Sequence, residues 1–236
     1  MLITAGPTHE PIDRVRFIGN RSSGRVGIAL AEAAAAAGWQ VTLLLGPTSR
    51  LCSDSRVHVE RFQSTSDLQA LLAHHFPITD VLIMAAAVAD YRPLTSAAAS
   101  EADGKLRRLG EGGKASGDSS GKGSLTIHLE STPDLLAGCA RSRRPAQVLV
   151  GFALEPRSRL LESARAKLAR KDVDMIVANP LESMEGETIE ATLVARDGRE
   201  ARTPGTISKV EFAHWLLGQI VPAGASRSAQ PPAPSA

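Results

Sequence analysis

The sequence is poor in aromatic residues and in cysteine. Phe, Trp and Tyr make up 3% of its 236 residues, so aliphatic side chains and alanine must fill the core. The two cysteines, Cys52 and Cys139, do not have the spacing of a metal site. A reduced cytosolic chain accounts for both cysteines, and one disulfide between them is the alternative.

The sequence also lacks a signal-peptide pattern, an eighteen-residue apolar run and an excess of either charge. Its 27 Lys and Arg residues stand against 25 Asp and Glu, a balance that argues against a nucleic-acid-binding protein. A composition of 43% hydrophobic and 22% charged residues is typical of a globular protein. We therefore predict a cytoplasmic protein with no membrane span and no nucleic-acid partner.

Several catalytic signatures are missing as well. The sequence has no Walker A motif, no G-x-S-x-G and no H-E-x-x-H, and its six histidines form no metal-ligand pattern. No side chain stands out as an activated nucleophile. Any catalysis would therefore depend on positioning and on charge stabilisation.

Apolar strands alternate with helical segments along most of the chain. Helices are predicted at 23–37, 65–76 and 156–171, the first capped by Ser22 or Ser23. The strands carry continuous apolar runs, which are typical of a parallel sheet covered on both faces. The pattern predicts an α/β protein with a doubly wound, Rossmann-like, mostly parallel sheet. The strands are predicted at 1–6, 40–45, 57–62, 80–88, 147–154 and 174–179.

Two segments depart from this alternation. Residues 110–123 contain six glycines and are predicted to be a flexible loop between two short β-like runs that could form a hairpin arm. Residues 222–236 are rich in Pro, Ala and Ser and are predicted to be a disordered tail. One domain would then span 1–221, with a further hairpin over 188–203.

The stretch GNRSSGRVG, residues 19–27, lies between the first strand and the first helix. Backbone amides at a helix start, together with its two arginines, could bind an anion. The spacing is not G-x-G-x-x-G, and the second strand ends in LLLGPT without the acid that an NAD ribose requires. A phosphate or carboxylate site and a plain helix start remain as alternatives.

Three other segments could bind a nucleotide. In MAAAVADYRP a strand ends in small residues, which would let a ligand approach the backbone in the crevice at the strand end. Asp90 would lie at the mouth of that crevice, although it could simply cap a turn. KLRR places Lys105 and Arg107 on one strand face, which suits a polyphosphate or a solvated edge strand. Lys167 and Lys171 share a helix face, which could equally be solvated. Phe152 could stack on a base or belong to the core.

The motifs ITAGPTHEPIDRVRFIGNRSSGRVG, AAAVADYRP, KLRR, GFALE and AKLARKDVDMIVAN occur in this order over residues 2 to about 220. In this combination the chain resembles the phosphopantothenoylcysteine synthetases, the ligases of coenzyme A biosynthesis. The resemblance implies that the carboxylate of 4′-phosphopantothenate attacks CTP to give an acyl-cytidylate and pyrophosphate. Cysteine then displaces CMP and forms the amide.

The resemblance also implies roles for individual residues. Asn20 matches the asparagine that handles the acyl-cytidylate, and Arg16 resembles an arginine of the same step. Asp90 matches a nucleotide-binding aspartate, and Lys105 matches the first lysine of an arm that takes part in forming the intermediate. Further nucleotide-site positions are Ala85, Ala86, Gly151, Phe152, Lys167 and Lys171. Positions for the substrate's phosphate or acyl group are Ser22, Ser23, Gly24, Arg107 and Arg108.

The same resemblance implies Mg²⁺ with the nucleotide, and a homodimer in which each arm reaches the neighbouring subunit's site. The arm carries Arg107 and Arg108 where the family has lysines, which keeps the charge but changes the geometry. The flavin-dependent decarboxylase half is expected to be absent, so no flavin is expected in this chain and a separate decarboxylase would act on its product. Use of ATP is the alternative, and an NAD(P)-dependent reductase or a catalytically inactive sensor are the rivals.

Overall fold

The structure is a computed structural model that describes residues 1–94, 126–184 and 186–220. The predicted loop 110–123 and tail 222–236 lie outside these residues. So does the arm, with Lys105, Arg107 and Arg108. Within the described ranges, no helix is long and apolar enough to cross a bilayer.

An eight-stranded sheet forms the centre of the fold, and three two-stranded sheets lie beside it. The six parallel strands of the centre match the six predicted strands. Three of them, at Leu2–Ala5, Val81–Met84 and Met175–Pro180, are buried along their whole length, as expected of strands covered on both faces. All strands are β1 (Leu2–Ala5), β2 (His9–Pro11), β3 (Phe17–Gly19), β4 (Val41–Leu45), β5 (Val57–Arg61), β6 (Val81–Met84), β7 (Tyr91–Pro93), β8 (Leu129–Ser131), β9 (Val148–Glu155), β10 (Met175–Pro180), β11 (Thr188–Ile189), β12 (Thr192–Ala195), β13 (Glu200–Arg202) and β14 (Ile207–Ser208).

The order in the central sheet is β13-β12-β10-β9-β6-β1-β4-β5. The chain builds outward from β1 through β4 to β5, then returns to the other side of β1 and builds outward through β6, β9 and β10. This is the Rossmann order, and its reversal point lies between β1 and β6, where ligands bind in such sheets. The prediction of a doubly wound, mostly parallel α/β fold is confirmed.

Five α-helices cover the two faces of the central sheet within the described residues. They are α1 (Arg25–Ala36), α2 (Thr65–His75), α3 (Leu135–Ser142), α4 (Leu160–Lys171) and α5 (Lys209–Ile220). One apolar core lies under α1 and α5 and includes Leu30 and Phe212. The other lies under α2, α3 and α4 and includes Leu68 and Leu136.

Some local predictions are wrong. The cap of α1 is Gly24, with a φ of 72° and no side-chain hydrogen bond, and neither Ser22 nor Ser23 takes that role. The segment between β1 and the first helix, for which no strand was predicted, contains the antiparallel pair β2–β3. Within 188–203, β12 and β13 form the predicted hairpin, but β11 pairs with β14 because Ile189 buries itself against the α5 side. Helices α3 and α5 were not predicted.

Candidate functional site

A cleft of about 190 Å³ opens beside the carboxyl end of β6. Its walls come from the residues after β6, the start of α3, the middle of β9 and one face of α4. The cleft therefore gathers segments from three well-separated parts of the sequence. Five residues predicted for nucleotide binding line it: Ala86, Asp90, Phe152, Lys167 and Lys171.

Two buried threonines fix the small residues that follow β6. The Ala86 amide donates to Thr4 Oγ1 at 3.1 Å, and the Ala89 amide donates to Thr8 Oγ1 at 2.9 Å. Both threonines are fully buried. The two threonine hydroxyls accept hydrogen bonds from amides that have left the sheet. They thereby fix the position of the small residues that form the floor of the cleft, among them Ala86 and Ala89.

Asn20 lies at the edge of this floor. It follows the β2–β3 hairpin, and its Nδ2 donates to the Val88 carbonyl at 3.0 Å and more weakly to the Ala87 carbonyl at 3.4 Å. The predicted acyl-site asparagine is thus beside the strand end that carries Asp90. Two motifs almost seventy positions apart in sequence meet at the reversal point of the sheet.

The two lysines of α4 occupy different surroundings in the cleft. Lys167 Nζ donates to the carbonyl oxygen of Phe152, so the ammonium lies at the middle of β9. Lys171 Nζ lies 2.9 Å from Asp134, whose carboxylate also caps α3 by accepting from the Ala137 amide at 3.1 Å. A spacing of four residues places both ammonium groups toward one ligand-sized space.

Burial and neighbouring charge shift the pKa values in the cleft. Desolvation by burial, followed by repulsion from Lys171, lowers the pKa of Lys167 below its ordinary value. Burial acts to raise the pKa of Asp134, but the Ala137 amide and the Lys171 ammonium outweigh burial and hold that pKa low. Of the two lysines, Lys171 pairs with a carboxylate and Lys167 contacts only a carbonyl oxygen. An anion in the cleft would therefore be stabilised by the positive charge of Lys167.

Phe152 has contacts on two sides. It lines the cleft and also packs edge-on against Phe212 of the core, with ring centroids 6.4 Å apart. Both alternatives considered for this residue therefore have structural support. An aromatic ring anchored by the core can offer its remaining surface to a base without losing its own position.

The start of α1 offers backbone donors. The Ile28 amide makes the first intrahelical hydrogen bond, to the Gly24 carbonyl at 3.0 Å, so the preceding helix amides have no intrahelical acceptor. Gly27 lets this turn approach the sheet, since a Cβ there would lie 2.4 Å from Ala5 Cβ. Ser22 accepts from the Gly24 amide at 3.4 Å, and Thr48 donates to the Ser23 carbonyl at 3.0 Å.

The remaining predicted residues lie elsewhere. Arg16 is ion-paired with Asp13 in the turn between β2 and β3. Gly151 is buried in β9, where a Cβ would lie 2.5 Å from Leu136, so its visible role is to let α3 pack on the sheet. Ala85 follows β6, and its amide donates to the Thr4 carbonyl at 3.2 Å. The arm residues belong to the undescribed part of the chain.

Sequence reasoning missed the segment Thr132–Asp134. Thr132 donates to the Ala89 carbonyl at 2.5 Å, and its amide donates to the Asp90 carbonyl at 2.9 Å. The segment thereby fixes the far wall of the cleft against the strand end. An available signal was the pattern TPDLL, in which Asp134 stands as an N-cap before an apolar pair.

Comparisons with known proteins agree on one family. The family model of the DNA/pantothenate metabolism flavoprotein C-terminal domain matches residues 1–223. A crystal structure of the C-terminal domain of the coenzyme A biosynthesis bifunctional protein CoaBC superposes with a TM-score of 0.72 at 34% identity. That match covers 93% of this chain and 92% of the solved one.

Two sequence relatives are longer than this chain. A protein named cysteine/cysteine sulfinic acid decarboxylase, from an unknown prokaryotic organism, is 39% identical over 88% of this chain and 55% of its own length. The bifunctional protein CoaBC of Mycobacterium bovis is 41% identical over 85% of this chain and 47% of its own length. The chain therefore spans about half the length of these two relatives.

Proposed function

The chain belongs to the family of DNA/pantothenate metabolism flavoprotein C-terminal domains, and from that premise we propose that it joins 4′-phosphopantothenate to L-cysteine at the expense of CTP. The products would be phosphopantothenoylcysteine, CMP and pyrophosphate. The observation that carries this proposal is the meeting of Asn20 with the strand end of the cleft that contains Asp90, Lys167 and Lys171. The residue proposed for the acyl group would then lie beside the proposed polyanion site.

In the first step, a carboxylate oxygen of phosphopantothenate attacks the α-phosphorus of CTP. A carbon–oxygen–phosphorus link forms, and the bond to the β-phosphate breaks to release pyrophosphate. Lys167 and Lys171 would stabilise the phosphate charge, and Asp90 would accept a hydrogen bond from the nucleoside. Because Lys171 already pairs with Asp134, Lys167 is the stronger candidate for contact with the triphosphate.

In the second step, the cysteine amine attacks the acyl carbon and CMP leaves. The ammonium proton is lost to solvent, and negative charge builds on the acyl oxygen. Asn20 Nδ2 has two hydrogens, one of which is committed to Val88 at 3.0 Å. The second is engaged only weakly, with Nδ2 3.4 Å from the Ala87 carbonyl oxygen, and could donate to the acyl oxygen and stabilise that charge.

Mg²⁺ would enter with the nucleotide. Among the described residues no group of three acidic, His or Cys side chains could hold a metal ion. This fits a cation held mainly by phosphate oxygens, for which one or two carboxylates suffice. Asp90 is exposed at the mouth of the cleft and is the carboxylate best placed to assist, since Asp134 is engaged by Lys171. The ion would supply charge neutralisation during pyrophosphate release.

Three alternative functions can be separated from this one. An ATP-dependent ligase would use the same residues and differ in the base. A reductase is disfavoured because β4 ends at Leu45 and Gly46 and Pro47 follow, so the acid that binds an NAD ribose is missing. The name of the first relative raises decarboxylation, and we propose that this chain leaves the cysteine carboxylate intact.

Product analysis tests the proposal in stages. Incubation of the chain with Mg²⁺ and CTP should release pyrophosphate when phosphopantothenate is added, and amide should form when cysteine follows. Carbon dioxide should not be released at any stage. Pyrophosphate release without phosphopantothenate, or carbon dioxide release with the complete mixture, would contradict the assignment.

A further inference from the structure

Glu10, in the middle of β2, has a buried carboxylate. The residue is 2% exposed, and its Oε1 accepts two hydrogen bonds from Thr65, one from the amide at 2.8 Å and one from the hydroxyl at 2.6 Å. Thr65 is itself fully buried. A carboxylate that has lost its hydration is costly unless such bonds compensate for the loss, so Glu10 is firmly tied to Thr65.

The start of α2 explains why an acid occupies this position. Thr65 is the first residue of α2, so its amide has no acceptor within the helix, and the carboxylate of Glu10 supplies one. Negative charge is also favoured at the positive end of the helix dipole. A second bond acts in the same place, since the His9 amide donates to the Gln63 carbonyl at 2.8 Å. Strand β2 is thereby fixed to the start of α2.

The β2–β3 hairpin connects this anchor to Asn20. Glu10 lies opposite Ile18 in the antiparallel pair, and β3 ends at Gly19, directly before Asn20. The Nδ2 of Asn20 then reaches across to the Val88 carbonyl at 3.0 Å. The position of the Asn20 amide therefore depends on where Glu10 holds the hairpin.

The strand end that Asn20 contacts is linked to the same carboxylate. Thr65 Oγ1 lies 3.4 Å from Thr8 Oγ1, and Thr8 Oγ1 accepts from the Ala89 amide at 2.9 Å. Thr8 and Thr65 are both fully buried, so water does not compete for these bonds. A chain of buried polar groups thus leads from Glu10 to the residue before Asp90. The two partners in the contact of Asn20 with the strand end share one anchor.

We propose that Glu10 is a positioning residue of the ligation, which holds the β2–β3 hairpin against α2 and so directs the Asn20 amide at the acyl group. This proposal rests on the proposed function, in which Asn20 serves the second step. A displacement of about 1 Å at a reacting group can cost on the order of 100-fold in rate. The first step should be spared when Glu10 is replaced, because Thr8 still accepts from the Ala89 amide.

Single-turnover reactions of Glu10→Met test this proposal, with pyrophosphate and amide measured in the same quenched samples. Methionine is similar in length and has no oxygen to accept from Thr65. Amide formation should slow on the order of 100-fold, while pyrophosphate release stays near the parent rate. Glu10→Gln keeps an oxygen that can accept from both groups of Thr65 and should restore much of the amide rate. Equal slowing of both steps, a parent-like amide rate in Glu10→Met, or no recovery in Glu10→Gln would overturn the proposal.

Thr65→Val decides the question if Glu10→Met does not fold. It keeps the amide that Glu10 accepts and removes the hydroxyl, so amide formation should slow about tenfold relative to pyrophosphate release. Thr203→Val is the matched control, because Thr203 is also buried and its hydroxyl accepts from the Ala191 amide at 3.1 Å, beyond β12 and β13. This control should leave the ratio of the two rates unchanged. An unchanged ratio in Thr65→Val, or an equal shift in Thr203→Val, would count against Glu10.

Hydrogen exchange separates this proposal from the proposed function. If the parent protein forms no amide, the proposed function fails, and the anchor is tested by exchange followed by mass spectrometry. A peptide over residues 9–20 should exchange faster in Glu10→Met, or in Thr65→Val if the former does not fold, while a peptide over 192–202 exchanges as in the parent. Parent-like exchange in both peptides, or equal acceleration of both, would overturn the anchor. An active ligase whose two rates keep their ratio in these variants would overturn this inference alone.

Discussion

At the scale of single residues, Asn20 joins two distant parts of the chain. Its amide donates to carbonyls that follow β6, although Asn20 itself is exposed at the end of the β2–β3 hairpin. A carboxylate in this position would replace the two donated hydrogens with negative charge directed at two carbonyl oxygens. The same replacement would oppose the charge that builds on the acyl oxygen in the second step.

Asn20→Asp should therefore slow amide formation more than pyrophosphate release, so that the acyl-cytidylate accumulates. The loss of one oxyanion donor costs on the order of 100–1,000-fold in rate. Mass spectrometry of quenched single-turnover reactions would follow the intermediate. Because Asn20 is exposed, the melting temperature should change little. If the intermediate decays at the parent rate, Asn20 has no role in its consumption.

Lys167 gives the cleft a dependence on pH. Burial and Lys171 lower its pKa, and an anionic nucleotide favours its protonated form. CTP affinity should be full below this lowered pKa and should fall as pH rises through it, before the pH at which an exposed lysine titrates.

Calorimetric titration of CTP across alkaline pH would measure that dependence. Lys167→Met should lose most of the affinity and flatten the pH dependence that remains, since the titrating group is gone. Arg165→Gln, which removes an exposed cation of α4 that pairs with Glu200, is the matched control. The role assigned to Lys167 would be contradicted if the methionine variant kept the parent's alkaline loss of affinity.

At the scale of elements, the close contact of α1 with β1 positions the helix amides. Gly27 is buried at this contact, and a Cβ there would lie 2.4 Å from Ala5 Cβ and 3.1 Å from the Thr4 carbonyl oxygen. The neighbours are backbone and a short side chain, which cannot rotate away. A wider separation would move the start of α1 relative to the strand ends.

Gly27→Ala should lower the free energy of unfolding by about 1–3 kcal/mol, the usual cost of overpacking. Gly218→Ala is the matched control, because no atom lies within 4 Å of a Cβ added at that exposed position of α5. Its helix propensity should raise stability by up to about 1 kcal/mol. Urea denaturation measures both. Equal stability of the two variants would show that α1 does not need this glycine to pack.

The elements that sequence predicted are those with a strong periodic signal. A continuous apolar run predicted the parallel strand that the structure has at Val148–Glu155. At the start of α2, Ser64 and Asp67 form a capping box, which is a typical signal of a helix start. The short helix α3 and the pair β11–β14 carry little periodic signal, because tertiary contacts decide them. Gly24 caps α1 in place of the serines with a φ of 72°, a left-handed conformation that favours glycine over residues with a Cβ.

The site was predictable where a residue type implies its chemistry. Asp90, Lys167 and Lys171 were identified, and the structure places them along one cleft. Gly151 was predicted to contact the nucleotide because of its motif, whereas in the structure its lack of a side chain makes room for Leu136 of α3.

At the scale of the whole molecule, the family resemblance implies a homodimer whose arms, with Lys105, serve the neighbouring site. A mixture of Asn20→Asp and Lys105→Gln chains, unfolded and refolded together, tests this arrangement. If each arm serves its partner, mixed dimers contain one intact site, and about a quarter of the parent activity should return for random pairing.

Each variant refolded alone is the control for that mixture and should remain nearly inactive. If each arm served its own subunit, every site in a mixed dimer would carry one of the two changes. Mixing would then restore no activity, and the shared-site arrangement would be contradicted.

The central claim is that this chain is a CTP-dependent ligase of phosphopantothenate and cysteine. The most direct measurement is a competition reaction with equimolar CTP and ATP, Mg²⁺, phosphopantothenate and cysteine, in which CMP, AMP and phosphopantothenoylcysteine are quantified together. We predict CMP and phosphopantothenoylcysteine in equal amounts, with little AMP. AMP in place of CMP would contradict the choice of nucleotide, and the absence of phosphopantothenoylcysteine would contradict the ligase itself.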